Sequence, residues 1–93
     1  MTLYKIRAWV HERKKNGSYT EVEPYSYETV VVENLETAKM IFGKNVAEVK
    51  QWSQMSSRYS GKVELFVPHM FPDGTLAYWP EDEKYIDTWE FNM

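Results

Sequence analysis

Residues 4–17 read YKIRAWVHERKKNG, and the fold turns on how they are interpreted. Tyr4, Ile6, Ala8 and Val10 fall on one side of a period-two pattern, with Lys5, Arg7, Trp9, His11, Arg13 and Lys15 on the other. Such alternation marks a half-buried strand, because successive side chains of an extended chain point to opposite faces. Asn16 and Gly17 both tolerate positive φ, so the strand should end in a tight hairpin. A two-residue loop would pair Ala8 with Tyr25, Ile6 with Tyr27, Tyr4 with Thr29 and Lys5 with Glu28. A three-residue loop with a bulge would slip the register by one. Pro24 cannot donate to a ladder, so it should mark a bulge or an edge in the returning strand. The β-branched run Thr29, Val30, Val31, Val32 closes that strand.

Beyond the hairpin the periodicity changes. Asn34 is a suitable N-cap, and Leu35, Ala38, Phe42, Val46 and Val49 recur at helical spacing, with Ile41 and Trp52 beside them. These residues should face the sheet, while Glu36, Lys39 and Lys50 face water. Gly43, followed by Asn45 and Glu48 in a second capping pattern, predicts either one kinked helix or two short ones. KVELFVPHMF then reads as a strand with Val63, Leu65 and Val67 inward, and PDGT as a turn into LAYW. Pro80 should stop that strand, leaving Trp79 to Glu83, WPEDE, as an exposed acidic loop before a last alternating strand, KYIDTWEF. The fold class expected is α+β: an antiparallel sheet of four or five strands, ββ-α-ββ(β), with one kinked or broken helix packed on one face.

Ninety-three residues suit one domain over 1–93, since two cores would each be too small. With 43% hydrophobic and 16% aromatic residues there is enough apolar area to offset the entropy of ordering the chain. The absence of cysteine excludes disulfides and thiolate metal sites, and weakly favours a cytoplasmic location. The alternating, charged start lacks the apolar core of a signal peptide, and no run reaches membrane-spanning length. A soluble protein is expected.

The net charge of −3 is unevenly distributed. Residues 1–16 hold five bases against Glu12, whereas residues 73–93 hold six acids against Lys84. Such asymmetry bears on partners rather than on fold.

The sequence favours no catalytic constellation. His11 and His69 are the only histidines and lie far apart in the chain, so a nucleophile and base pair is hard to assemble. Asp73 could orient His69, and Asp82 could pair with Asp87, but a surface histidine at a strand end and a solvated acidic loop account for both. No phosphate loop, dinucleotide fingerprint, metal site or cofactor motif is expected. The reading is therefore of a non-enzymatic protein.

Two binding surfaces compete. Trp79, Glu81, Asp82, Glu83 and Tyr85 combine aromatic area with acidic charge, a combination suited to a larger protein with a basic surface, or to a second copy of the chain in a homodimer. Alternatively, Lys5, Arg7, Trp9, His11 and Arg13 share one strand face and could take nucleic acid or a nucleotide, through phosphate contacts and stacking on Trp9. A solvated polar face explains the same pattern. In size and composition, short, cysteine-free, rich in Tyr and Trp, with acids clustered at one end, the chain is similar to small phage-encoded inhibitors of host or defence machinery, anti-CRISPR proteins among them. That similarity implies a viral inhibitor working in the host cytoplasm by occupying a surface of a larger protein, and it transfers no site.

Overall fold

A computed structural model describes residues 2–21 and 28–92. The element order is β1 (Tyr4–Arg13), β2 (Tyr19–Glu21), β3 (Glu28–Val32), α1 (Leu35–Ser53), β4 (Tyr59–Met70) and β5 (Leu76–Phe91). All pairings are antiparallel: β2 and β3 lie along one side of β1, β4 along the other, and β5 outside β4. With α1 packed on one face, the chain is an α+β fold of ββαββ order.

β1 is central because its alternation satisfies both faces and both edges. Ile6, Ala8 and Val10 are buried against α1 together with Ala38, Val49, Val63 and Leu65. Ile41, Phe42, Val46 and Trp52 pack around this cluster, and Glu36, Lys39 and Lys50 are exposed. The helix is a single element running through Gly43 and Asn45, so the second capping pattern is not used. Its N-cap is Asn34, whose side chain accepts from the Thr37 amide at 3.1 Å.

The β1–β2 turn is the three-residue form. Lys14 N–H donates to Ser18 O at 2.8 Å and Gly17 N–H to Lys14 O at 2.9 Å, while Asn16 Oδ1 accepts from the amide and hydroxyl of Ser18. Gly17 sits at φ 87°, a conformation that a side chain would strain. The β4–β5 turn repeats this construction: Phe71 and Thr75 close the loop, Gly74 takes φ 87°, and Asp73 Oδ1 accepts from both donors of Thr75.

Two register expectations need correction. The two-residue loop would have set Tyr4 opposite Thr29 and Lys5 opposite Glu28, whereas their partners are Val32 and Val31. Near the turn Arg13 pairs with Tyr19, but farther along Ala8 pairs with Glu28. The register of the ladder shifts between the two pairings. Ala8 and Ile6, expected opposite Tyr25 and Tyr27, pair with Glu28 and Val30 instead, and the expectation for Pro24 falls outside the described residues. Second, Pro80 does not stop a strand. β5 runs through it, because Pro80 lies opposite Pro68 where the register is already shifting, so the two missing N–H donors coincide at one irregular point. WPEDE is therefore strand backbone. Yet residues 81–84 lie between Pro80 and Tyr85 where β4 has only Val67 between Pro68 and Phe66, so this acidic stretch is a wide bulge.

Gly61 lies where β4 packs tightly against Val49 of the helix and Phe91 of β5. A Cβ there would lie 2.6 Å from the Phe91 ring, 2.8 Å from Val49 Cγ1 and 3.1 Å from Trp9 O. Gly61→Ala should therefore lower stability by about 1–3 kcal/mol through overpacking. Urea denaturation would show it as a lower midpoint at unchanged slope, and an unchanged midpoint would contradict this packing.

Candidate functional site

The sheet face away from α1 is not the solvated stripe that the alternation of β1 suggests. Cross-strand pairing sets Arg7 beside Glu64, and the Arg7 Nε and Nη2 both donate to Glu64 Oε1, at 3.0 and 2.7 Å. The Glu64 side chain is only 1% exposed. Phe66, fully buried, lies 5.2 Å below the same guanidinium, and Trp9 lies 5.4 Å from it. Burying a carboxylate is costly unless it is paired, so Glu64 makes Arg7 a structural residue.

Tyr85 extends this cluster from β5. Its ring packs edge-on to Phe66 at 5.8 Å. Desolvation first, and then a hydrogen bond donated to Glu64, raise its phenol above the ordinary value. Lys62, over the Tyr85 ring at 5.9 Å, also meets Glu90 at 3.6 Å. Lys5 is 5% exposed and donates from Nζ to Ala77 O at 2.8 Å, which ties the start of β5 back to β1. Burial, and then the neighbouring Arg7 cation, lower its ammonium pKa.

Of the five basic-face candidates, Lys5 and Arg7 are thus engaged inside the fold, Trp9 and His11 are half-buried side by side at 6.5 Å, and Arg13 is exposed at the far end of β1. The structure does not bring all five together on one open surface.

The acidic aromatic candidates lie toward the opposite end. β4 and β5 continue past Phe66, the last β4 residue paired with β1, and form an arm closed by the Asp73–Gly74 turn. Near its tip Trp79 is 53% exposed and Met70 52% exposed. Phe71 packs edge-on to Trp79 at 5.8 Å and to His69 at 5.2 Å. Asp73 is committed to Thr75, whose hydroxyl and then amide hold its carboxyl below the usual range, so it stiffens the turn. Tyr85 is exposed on one side but belongs to the Glu64 cluster, nearer the body. Glu81, Asp82 and Glu83 form the bulge backbone between Trp79 and Tyr85, and their side chains lie outside the described residues.

Met70 and Phe71 were not singled out in the sequence. Their only signal was the run of FVPHMF on into a turn, in which both faces of the strand carry large apolar groups beyond the reach of the core. No helix among the described residues is long and apolar enough to cross a membrane. Comparison with protein-family models, with curated proteins and with solved structures finds no match to this chain.

Arg7→Ala should cost about 3–5 kcal/mol, because it leaves the Glu64 carboxylate buried without its cation, whereas Arg7→Leu combined with Glu64→Leu should recover most of that loss. Urea unfolding of both variants checks this. A loss below about 0.5 kcal/mol for Arg7→Ala, the size of an ordinary surface substitution, would contradict it.

Proposed function

We propose that the chain is a non-enzymatic binding module that engages a larger protein through the β4–β5 arm. The observation that carries this reading is the exposed Phe71–Trp79 pair, with Met70 at the same tip, on a turn fixed by Asp73 and Thr75. Folding gains little from leaving large aromatic groups in water at a stiff tip, whereas a partner would bury them. Aromatic anchors of this kind become the energetic centre of an interface when a polar rim excludes water around them.

The acids of the adjoining bulge would favour a basic surface on the partner. Glu81, Asp82 and Glu83 stand within a few residues of Trp79, and clustered charge speeds encounter and selects the partner more than it adds affinity. Trp79, Glu81, Asp82, Glu83 and Tyr85 are accordingly the partner-binding residues, joined by Met70 and Phe71. Occupying a surface requires no catalytic group. This is the mode of action of a small inhibitor, and the size and composition of the chain are those of phage-encoded anti-defence proteins, anti-CRISPR proteins included, working in the host cytoplasm.

Trp79→Ala should weaken capture of the partner roughly thirty-fold, the effect of removing about 2 kcal/mol at an anchor residue. Replacing Glu81, Asp82 and Glu83 by lysine should also abolish capture, and neither variant should lower the melting temperature by more than a few degrees. Affinity capture from a lysate of the host cells, quantified for the wild type and both variants, provides the measurement. Proteins retained equally by all three would not be partners of the arm, and if every retained protein behaves so the reading fails.

A further inference from the structure

At the end of β4 remote from the arm, we propose a site for a phosphodiester strand in the groove between the β1–β2 turn and the residues that lead into β4. A cavity of about 570 Å³ there is lined by Arg13, Lys14, Lys15, Gly17 and Arg58. This falls within the range of ligand clefts, roughly 300–1,000 Å³. A second hollow of about 180 Å³ shares Arg13 and Arg58 and adds Ser57, Tyr59, Ser60 and Asn92. The two guanidinium residues border both hollows, which therefore adjoin.

Three observations point to the ligand. The first is charge: no carboxylate among the described residues pairs with Arg13, Lys14, Lys15 or Arg58. Cations that meet within one concavity repel one another until an anion enters, whereas Arg7 is already compensated by Glu64. The second is a fixed frame. Arg13 N–H donates to Arg58 O at 2.8 Å, and the Lys14–Ser18 closure holds the turn, so bases far apart in the sequence are set side by side on ordered backbone. Nothing lies within 4 Å of the side-chain direction of Gly17, which leaves the turn open to close approach.

The third is the character of the walls. Among the described residues they carry cations, hydroxyls and an amide, with Tyr59 as the aromatic group, and the Tyr59 ring is already engaged edge-on with Trp52 at 5.1 Å. An acidic protein segment threaded with aromatic residues, such as this chain's own residues 78–91, would need apolar area in which to bury its rings, and the described walls offer only Tyr59. A phosphodiester strand needs only cations and donors along its length. A single small anion would leave most of the groove unfilled and several bases uncompensated. Of the five first-strand residues considered above for nucleic acid, only Arg13 belongs to this site. The inference stands apart from the reading of the arm, since the two sites lie at opposite ends of β4.

Fluorescence anisotropy of a labelled oligothymidylate of about ten nucleotides, a length within the usual range for small single-strand binders, tests the site on the full chain. Binding should weaken with salt, with a slope of about −3 in log K against log salt for four phosphate contacts on a single strand. Arg13→Ala combined with Arg58→Ala should lower affinity at least ten-fold and bring the slope to about −1.4, corresponding to two lost contacts. Both side chains are exposed, so the fold should persist, and the melting temperature verifies it. Lys39→Ala combined with Lys44→Ala removes the same charge from exposed positions on α1 and should change affinity less than two-fold. Equal losses in the two double variants would reduce the effect to overall charge and overturn the site. So would absence of binding at low salt, or polyglutamate competing as well as the oligonucleotide.

Discussion

The carboxylate of Glu64 constrains this fold more than any other single group. It sits on the middle strand pair, 1% exposed, and the Arg7 guanidinium answers it directly across the ladder. Hydrophobic alternation specifies which face of β1 meets the helix, but it leaves the opposite face free to slide against several partners. An ion pair removes that freedom, because slipping β1 by one residue against β4 would turn Arg7 to the helix side and leave Glu64 buried alone. Phe66, Trp9 and Tyr85 then pack around the pair, so what looks like a polar surface becomes a second, smaller interior. Lys5 adds a tie from β1 to the base of the arm.

With both faces of β1 committed, the two surfaces proposed for binding lie at the two ends of the long β4 strand. The molecule measures 45 Å along its longest axis and 20 Å along its shortest. One end carries the arm, with Phe71 and Trp79 in water and acids in the bulge below them. The other carries Arg13, Lys14, Lys15 and Arg58 around the β1–β2 turn. The charge asymmetry of the sequence thus corresponds to a spatial separation, with the packed body of the fold between the two ends. The two ends use similar turns: each closes on a three-residue loop with an Asx residue and a positive-φ glycine, and each holds its neighbours in a fixed arrangement.

Much of this was legible in the residues themselves. The alternation of β1, the N-cap at Asn34 and the helical spacing from Ala38 to Val49 were sufficient for the ββαββ order, because each reflects a local rule that the tertiary structure does not override. What escaped depended on long-range pairing. Lys5 and Arg7 occupy positions that period two assigns to water, and only the placement of Glu64 and Ala77 across the sheet reveals that they are interior. Pro80 reads as a strand terminator unless it is known to meet Pro68. Arg58 joins Arg13 through a backbone bond between residues separated by the whole helix, for which no sequence spacing gives a sign. Trp79 was recognisable as an exposed aromatic group, whereas Tyr85, a candidate binding residue, proves to be divided between the surface and the Glu64 cluster.

A body packed on both faces, with an arm that projects beyond it, is the central division of the molecule, and native-state amide hydrogen exchange tests it most directly. Amides of β1 and of β4 up to Phe66 should exchange only through global unfolding, since both faces of these strands are packed. Arm amides between His69 and Trp79 should exchange by a local opening of lower free energy, since β1 does not reach them. Uniform protection along the whole β4–β5 ladder, or exchange in β1 as fast as in the arm, would contradict the proposal that Arg7 and Glu64 lock a second interior.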